Sequence, residues 1–259
     1  ADNHADDSRW GGGGLLLQGG SLQLRRSTLA DNSASDAQAN GGVITSRFDD
    51  SGGGAISLRG ARADIENSTL SGNRADKTLL GGGGILAVYS DARLAHATLA
   101  GNDSARDSLI AAGGSLARWD HDRPTAELRL THSLVSASGQ QCFAPGPITG
   151  LGNRIDDASC GAGAGSLGPV TGLDPTLSAN GGPTRTHLLM AGSNAVDAGP
   201  ASCLGIGGQL LLVGQRGVAR PQNGLCDLGA VEIVAAQADL SITKTDGVSS
   251  AFPGGSVTY

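Results

Sequence analysis

Gly81-Gly82-Gly83-Gly84-Ile85-Leu86-Ala87-Val88-Tyr89, followed by Ala97-Thr98-Leu99-Ala100-Gly101-Asn102, decides how this chain is built. A glycine run opens the stretch, a short apolar run follows, and a Thr-Leu pair ends at a Gly-Asn corner. The same order occurs from Gly11 through Thr28-Leu29 to Asn32, and from Gly52 through Thr69-Leu70 to Asn73. Gly54, Gly84 and Gly114 follow one another at a constant step. Self-similarity of this length means one supersecondary unit that cannot bury its own apolar face and must stack on copies of itself.

Apolar runs this short, separated by single turns, do not suit a sandwich of hairpins. They fit a parallel coil in which each strand pairs with its counterpart one repeat later, about 4.8 Å along the axis. Leu29, Leu70 and Leu99 are expected to form one inward ladder, and Leu24, Ile65 and Leu94 another. Asn32, Asn73 and Asn102 suit tight corners, because asparagine tolerates the left-handed region and stacked amides hydrogen-bond one another. Forty-three glycines are too many for strand interiors, so they are expected in turns that need positive φ. A fourth copy, from Gly113-Gly114 to Ser133-Leu134, keeps the glycines and the leucine but lacks the asparagine.

The net charge is −6 and the pI about 5.2, with no basic stripe, which argues against nucleic acid and anionic membrane as partners. No apolar run approaches the roughly 18 residues of a membrane span. Cys142, Cys160, Cys203 and Cys226 permit three pairings, of which the sequential one is the most economical. Zinc-type spacing is absent, so two disulfides and an oxidising compartment are expected, and no cofactor is implied. The chain opens at Ala1 and stops at Tyr259 within a β-prone run, so it reads as a piece of a longer polypeptide.

The glycine run, the Ser-Thr-Leu strand and the Gly-Asn corner resemble bacterial right-handed parallel β-helix proteins with polymorphic outer-membrane-type repeats, which implies a pectin-lyase-like fold. Further on come Asp174-Pro175-Thr176-Leu177, Asn180-Gly181-Gly182-Pro183-Thr184, Thr186-His187-Leu188 and Gly192-Ser193-Asn194-Ala195-Val196-Asp197-Ala198-Gly199. Gln215-Arg216-Gly217, Arg220-Pro221 and Cys226-Asp227-Leu228-Gly229-Ala230-Val231-Glu232 follow. That series is similar to the choice-of-anchor Q domain of bacterial surface proteins. It departs at Gly214, where that family usually has aspartate, and at Asn194, where proline is common. Ala238 to Tyr259 resembles the start of an immunoglobulin-like surface repeat. The expected fold is therefore all-β: a right-handed parallel β-helix (solenoid) over 1–137, then C-terminal turns and an irregular, disulfide-containing cap over 138–234. A linker at 235–238 and a truncated immunoglobulin-like start over 239–259 complete it.

Few polar clusters could carry chemistry. Trp119-Asp120-His121-Asp122-Arg123 could stack on a sugar and bind a cation or glycan, or form a solvated loop closed by Pro124. Asp156-Asp157, following Arg154, recur in the pattern of glycosidase carboxylates, but structural turns are expected there and at Asp49-Asp50. The glycine runs lack the following helix and lysine of a phosphate loop, and the repeated aspartates of a calcium-binding nonapeptide. Asp197, Asp227, Glu232, Arg216 and Arg220 are expected to pair with backbone or one another. His96 and His132 are expected on outward faces. Asn67-Ser68-Thr69 and Asn102-Asp103-Ser104 fit the glycosylation pattern, although Asn67 falls in an expected strand.

No catalytic or metal residues are assigned. The expected function is a non-catalytic, exported bacterial surface protein: a β-helical shaft or adhesin-like module touching surface glycans, extracellular matrix or another cell. The alternative is a polysaccharide lyase or glycoside hydrolase of the same fold, and 3% aromatic content offers such an enzyme few sugar platforms. A third reading is a plain spacer.

Overall fold

The computed structural model describes residues 3–6, 12–35, 51–76, 80–104, 111–113, 115–119, 127–144 and 146–234. Its strands form five sheets, and every strand pairing is parallel. Sheet I stacks β2 (Leu15–Gln18), β7 (Ile56–Arg59), β12 (Ile85–Val88), β17 (Leu116–Trp119) and β20 (Cys142–Phe143). Sheet II stacks β3 (Ser21–Arg25), β8 (Arg62–Glu66), β13 (Asp91–Ala95), β18 (Leu128–Thr131) and β21 (Ile148–Leu151). Sheet III stacks β4 (Thr28–Ala30), β9 (Thr69–Ser71), β14 (Thr98–Ala100), β19 (Leu134–Ser136) and β22 (Arg154–Ile155). Sheet IV holds β1 (His4–Asp6), β5 (Ser33–Ser35), β10 (Arg74–Asp76) and β15 (Asp103–Ser104); sheet V holds β6 (Ser51–Gly53), β11 (Leu80–Gly82) and β16 (Ala111–Gly113).

The chain visits the sheets in the same order on each pass, and each strand lies on its counterpart from the pass before. The arrangement is parallel β-helix-like, an all-β stack of sheets around one core. Leu29, Leu70 and Leu99 are in register, as are Leu24, Ile65 and Leu94. In the fourth pass Val135, not Leu134, sits on Leu99. Leu134 points outward instead, into a second small core with Leu189, Ala195 and Leu228. The main core is filled by Ile56, Leu58, Ile65, Leu70, Ile85, Leu94 and their ladder mates, and each such side chain contributes about 1.5–3 kcal/mol when fully buried.

Amides do stack at the corner between sheets III and IV. Oδ1 of Asn73 accepts from the backbone N–H and Nδ2 of Asn32 (3.1 and 2.8 Å), and Asn102 does the same for Asn73. Asn3 continues the column above Asn32. The left-handed residue is not the asparagine, however. It is the one before: Asp31, Gly72 and Gly101, with φ of 59°, 64° and 62°.

The glycine runs have a different reason from the one expected. Gly12, Gly53 and Gly82 do not have positive φ. A Cβ on any of them would fall on the carbonyl oxygen of Leu15, Ile56 or Ile85 respectively. The chain folds back on itself so closely at the sheet V to sheet I bend that only a hydrogen atom fits.

Cys142 and Cys160 are joined, as are Cys203 and Cys226. The first disulfide is buried in the main core beside Ile148, Ile155 and Ala164, where the last pass ends in a 3-10 turn at Ala162–Ala164. Beyond Ser166 the chain makes short antiparallel bridges, Leu173 to Leu189, Ser178 to Thr186, Leu204 to Leu210 and Val213 to Ala219. This segment runs along the side, touching every pass from Thr28 through Thr69, Thr98 and Leu134 to Arg154. The immunoglobulin-like start expected over 239–259 lies outside the described residues.

Candidate functional site

The Thr-Leu pair divides its labour. The leucine enters the core and the threonine faces out, so Thr28, Thr69 and Thr98 form an external column on sheet III. Polar groups of the segment read that column. Thr28 donates to the carbonyl of Arg185 (2.5 Å), Thr69 to Oε1 of Gln215 (2.7 Å), and Thr98 accepts from the N–H of Ala230 (3.0 Å). Gln215 is fully buried, and its Nε2 also donates to the hydroxyls of Thr28 and Thr184 (2.9 and 3.0 Å).

The next column marks the corner between sheets II and III: Arg26, Asn67, His96 and His132, each with positive φ near 45–49°. Each meets the segment. Nε of Arg26 lies 3.5 Å from the carbonyl of Gln215, Nδ2 of Asn67 donates to Val213 (2.9 Å), and the carbonyl of His132 accepts from Gly229 (2.9 Å). His96 receives Arg220 at Nδ1 (2.7 Å). The two histidines thus point away from the stack but are buried beneath the segment rather than exposed. Asn67 is a buried corner and Asn102 a buried rung of the amide column, so neither presents an amide for glycosylation.

Arg220 and Glu232 have side chains with 0% exposure and lie 3.4 Å apart. Burial pulls the guanidinium down to about 10, so it stays charged at neutral pH. Its N–H groups donate to the carbonyls of Asp227 and Gly229 (3.0 and 2.7 Å). Glu232 accepts from the N–H groups of Gln222 and Asp227, and Asp227 from those of Asp197 and Ile233. Burial raises both carboxyls above their ordinary range. Arg216 donates to the carbonyls of Asn180 and Glu232.

A cleft of about 480 Å³ opens where the segment meets the sheet III to IV corner, lined among others by Asp31, Ser71, Gly101, Asp174, Leu177 and His187. Ser71 Oγ lies 2.8 Å from His187 Nε2, and His187 Nδ1 lies 2.7 Å from the carbonyl of Asp174. A carbonyl only accepts, so Nδ1 carries the proton and Nε2 accepts from Ser71. Burial lowers the imidazole below its usual range, which keeps it neutral. This is the geometry of a serine beside a base. Acyl transfer needs a second half, free donors for an oxyanion. The nearby amides of Asp31, Gly72, Gly101 and Asp174 already donate to Ser71, Ala100, Ser136 and Leu188. The contact joins Ser71 of the stack to His187 of the segment.

Asp156 and Asp157 do not form a bare carboxylate pair. Asp156 accepts from Ser136 and the N–H of Val170, and Asp157 from Ser159 and the N–H of Gln141. Arg154 donates to the carbonyls of Asn194 and Leu167. Asp49, Asp50 and Asp120 to Arg123 lie outside the described residues, as does the side chain of Trp119. Among the described residues no three His, Cys, Asp or Glu converge as a metal site, and no helix is long and apolar enough to cross a membrane.

Ser71, His187, Gln215 and the threonine column were not singled out as a set by sequence. Their partners lie more than a hundred residues apart, and only the recurrence of Thr28, Thr69 and Thr98 hinted at a shared outward contact. No protein-family model matches the chain, and no curated protein or solved structure matches it either.

Proposed function

We propose that this chain is a non-catalytic module of an exported bacterial surface protein, a right-handed β-helical solenoid serving as a shaft or adhesin-like element. One observation carries the reading: the polar side chains among the described residues that could have done chemistry are engaged inside the protein, bracing the C-terminal segment and, through Arg220 and Asp156, tying it to the stack. Asp156, Asp157, Asp227, Glu232, Arg216 and Arg220 all have backbone partners. Among the residues that resemble a choice-of-anchor Q domain, Gln215, Arg220, Gly229 and Ala230 build the seam, and Arg216, Asp227 and Glu232 brace the segment behind it, which supports that assignment for 138–234. Two disulfides agree with an oxidising, extracytoplasmic location. Leu204, Leu210, Leu212 and Leu225 stand 40–68% exposed on loops tied by the Cys203–Cys226 bridge, a surface suited to contact with matrix or another cell.

The test is a pair of assays on the purified chain. Binding to an array of surface glycans and matrix proteins, with no rise in unsaturated-uronate absorbance or reducing ends from acidic polysaccharides, is the expected result. Turnover of any of those polysaccharides would overturn it in favour of the lyase or hydrolase alternative.

A further inference from the structure

His96 and His132 occupy successive levels of one corner, with ring centroids 5.2 Å apart, under Arg220. A guanidinium only donates, so His96 Nδ1 must accept and the ring proton sits on Nε2. That Nε2 is buried and has no partner among the described residues, and neither has Nδ1 of His132. A second proton on His96 can go only to the atom that holds Arg220. It would remove the acceptor and set two cations 2.7 Å apart in a space closed to water.

We propose that this corner is an acid-released latch: protonation of His96, reinforced by His132, expels Arg220 and frees the limb around residues 212–230 from sheets II and III while the stacked strands stay folded. The groups facing the pair are His132 from the stack and Arg220, Asp227 and Glu232 from the segment. Burial, then Arg220, hold His96 well below the ordinary histidine range, and the same two causes lower His132. A depressed folded value means that the stability they confer is present above the unfolded value of about 6.5 and is lost as pH falls below it. Asp227 and Glu232 are shifted up by burial, so their protonation favours the closed form and opposes opening. The Cys203–Cys226 bridge would keep the freed limb in one piece.

Amide hydrogen exchange at about pH 7.5 and 5.5, corrected for intrinsic rates, tests this. Protection at Gly229 and Ala230, whose N–H groups cross from the segment to His132 and Thr98, should fall at least about tenfold, one pKa unit's worth of linkage. Ladder amides such as Ile85 and Leu116 should not change. His96→Asn keeps an acceptor near the Nδ1 position without a titrating ring, so His96→Asn/His132→Asn should stay closed at both pH values. His132→Asn alone, the milder change, should move opening to lower pH. Unchanged protection in the natural chain, or equal loss in the double variant, overturns the latch. Should the double variant fail to fold, an unshifted profile in His132→Asn overturns it equally.

Discussion

The Thr69 hydroxyl and Oε1 of Gln215, separated by 146 residues, meet at 2.7 Å in a site closed to solvent. The contact joins the most regular part of the chain to its least regular part. It gives the repeated Thr-Leu pair two separate duties, one in the core and one in the seam. Gln215→Ala would strand the Thr69 hydroxyl and release the Nε2 partners Thr28 and Thr184. The expected loss is about 1–3 kcal/mol in urea denaturation followed by circular dichroism. Gln215→Glu, which cannot donate to those hydroxyls, should cost at least as much. Unaltered midpoints in both would mean the seam contributes nothing.

Asn73→Ala removes the acceptor for two donors of Asn32 and the donor to Leu29 and Asn102. Stability should drop by more than about 2 kcal/mol, since each stranded buried group costs roughly 1–3 kcal/mol. A loss under about 0.5 kcal/mol would show that the amide column is decoration.

Gly53→Ala puts a methyl on the carbonyl oxygen of Ile56, and only movement of the backbone can relieve it. We expect a loss at the upper end of the roughly 1–3 kcal/mol typical of overpacking, or no soluble product. Gly146→Ala is the control, because its Cβ would meet only the tip of Arg118 at 3.5 Å. Equal thermal midpoints for the two variants would refute the close-approach account.

Arg220→Met leaves Glu232 buried without its cation and should cost about 3–5 kcal/mol. Arg220→Met/Glu232→Leu should recover only part of that loss, because it removes the unpaired charge but strands the N–H groups of Gln222 and Asp227 and the carbonyls of Asp227 and Gly229. By contrast, Arg93→Ala, at a partly exposed pair with Asp64, should cost less than about 1 kcal/mol. Limited proteolysis within 200–230, alongside denaturation, reads both.

The stack was legible because each pass repeats chemistry as well as spacing. Leu29, Leu70 and Leu99 are alike, and so are Asn32, Asn73 and Asn102. Where the chemistry changes, the register blurs: Leu134 looks like the next leucine of the ladder, yet Val135 takes the inward place. The column Arg26, Asn67, His96, His132 shares a backbone conformation throughout but a side chain only in its last two members, so sequence paired the histidines and did not join them to Arg26 and Asn67. The glycine runs were visible, but crowding and positive φ select the same residue, and sequence does not separate them. The seam depends on long-range pairings between dissimilar residues. A resemblance placed its motifs in order; it could not say that they lie along a flank.

That flank position has a mechanical consequence. A column of passes held only by neighbour-to-neighbour pairing peels apart one layer at a time, each rupture loading the next. Here a single cross-linked splint is fastened to all five layers, so tension along the axis loads many fastenings in parallel, in shear. Rupture then requires them to fail together, and the rod resists pulling by sharing the force among its layers.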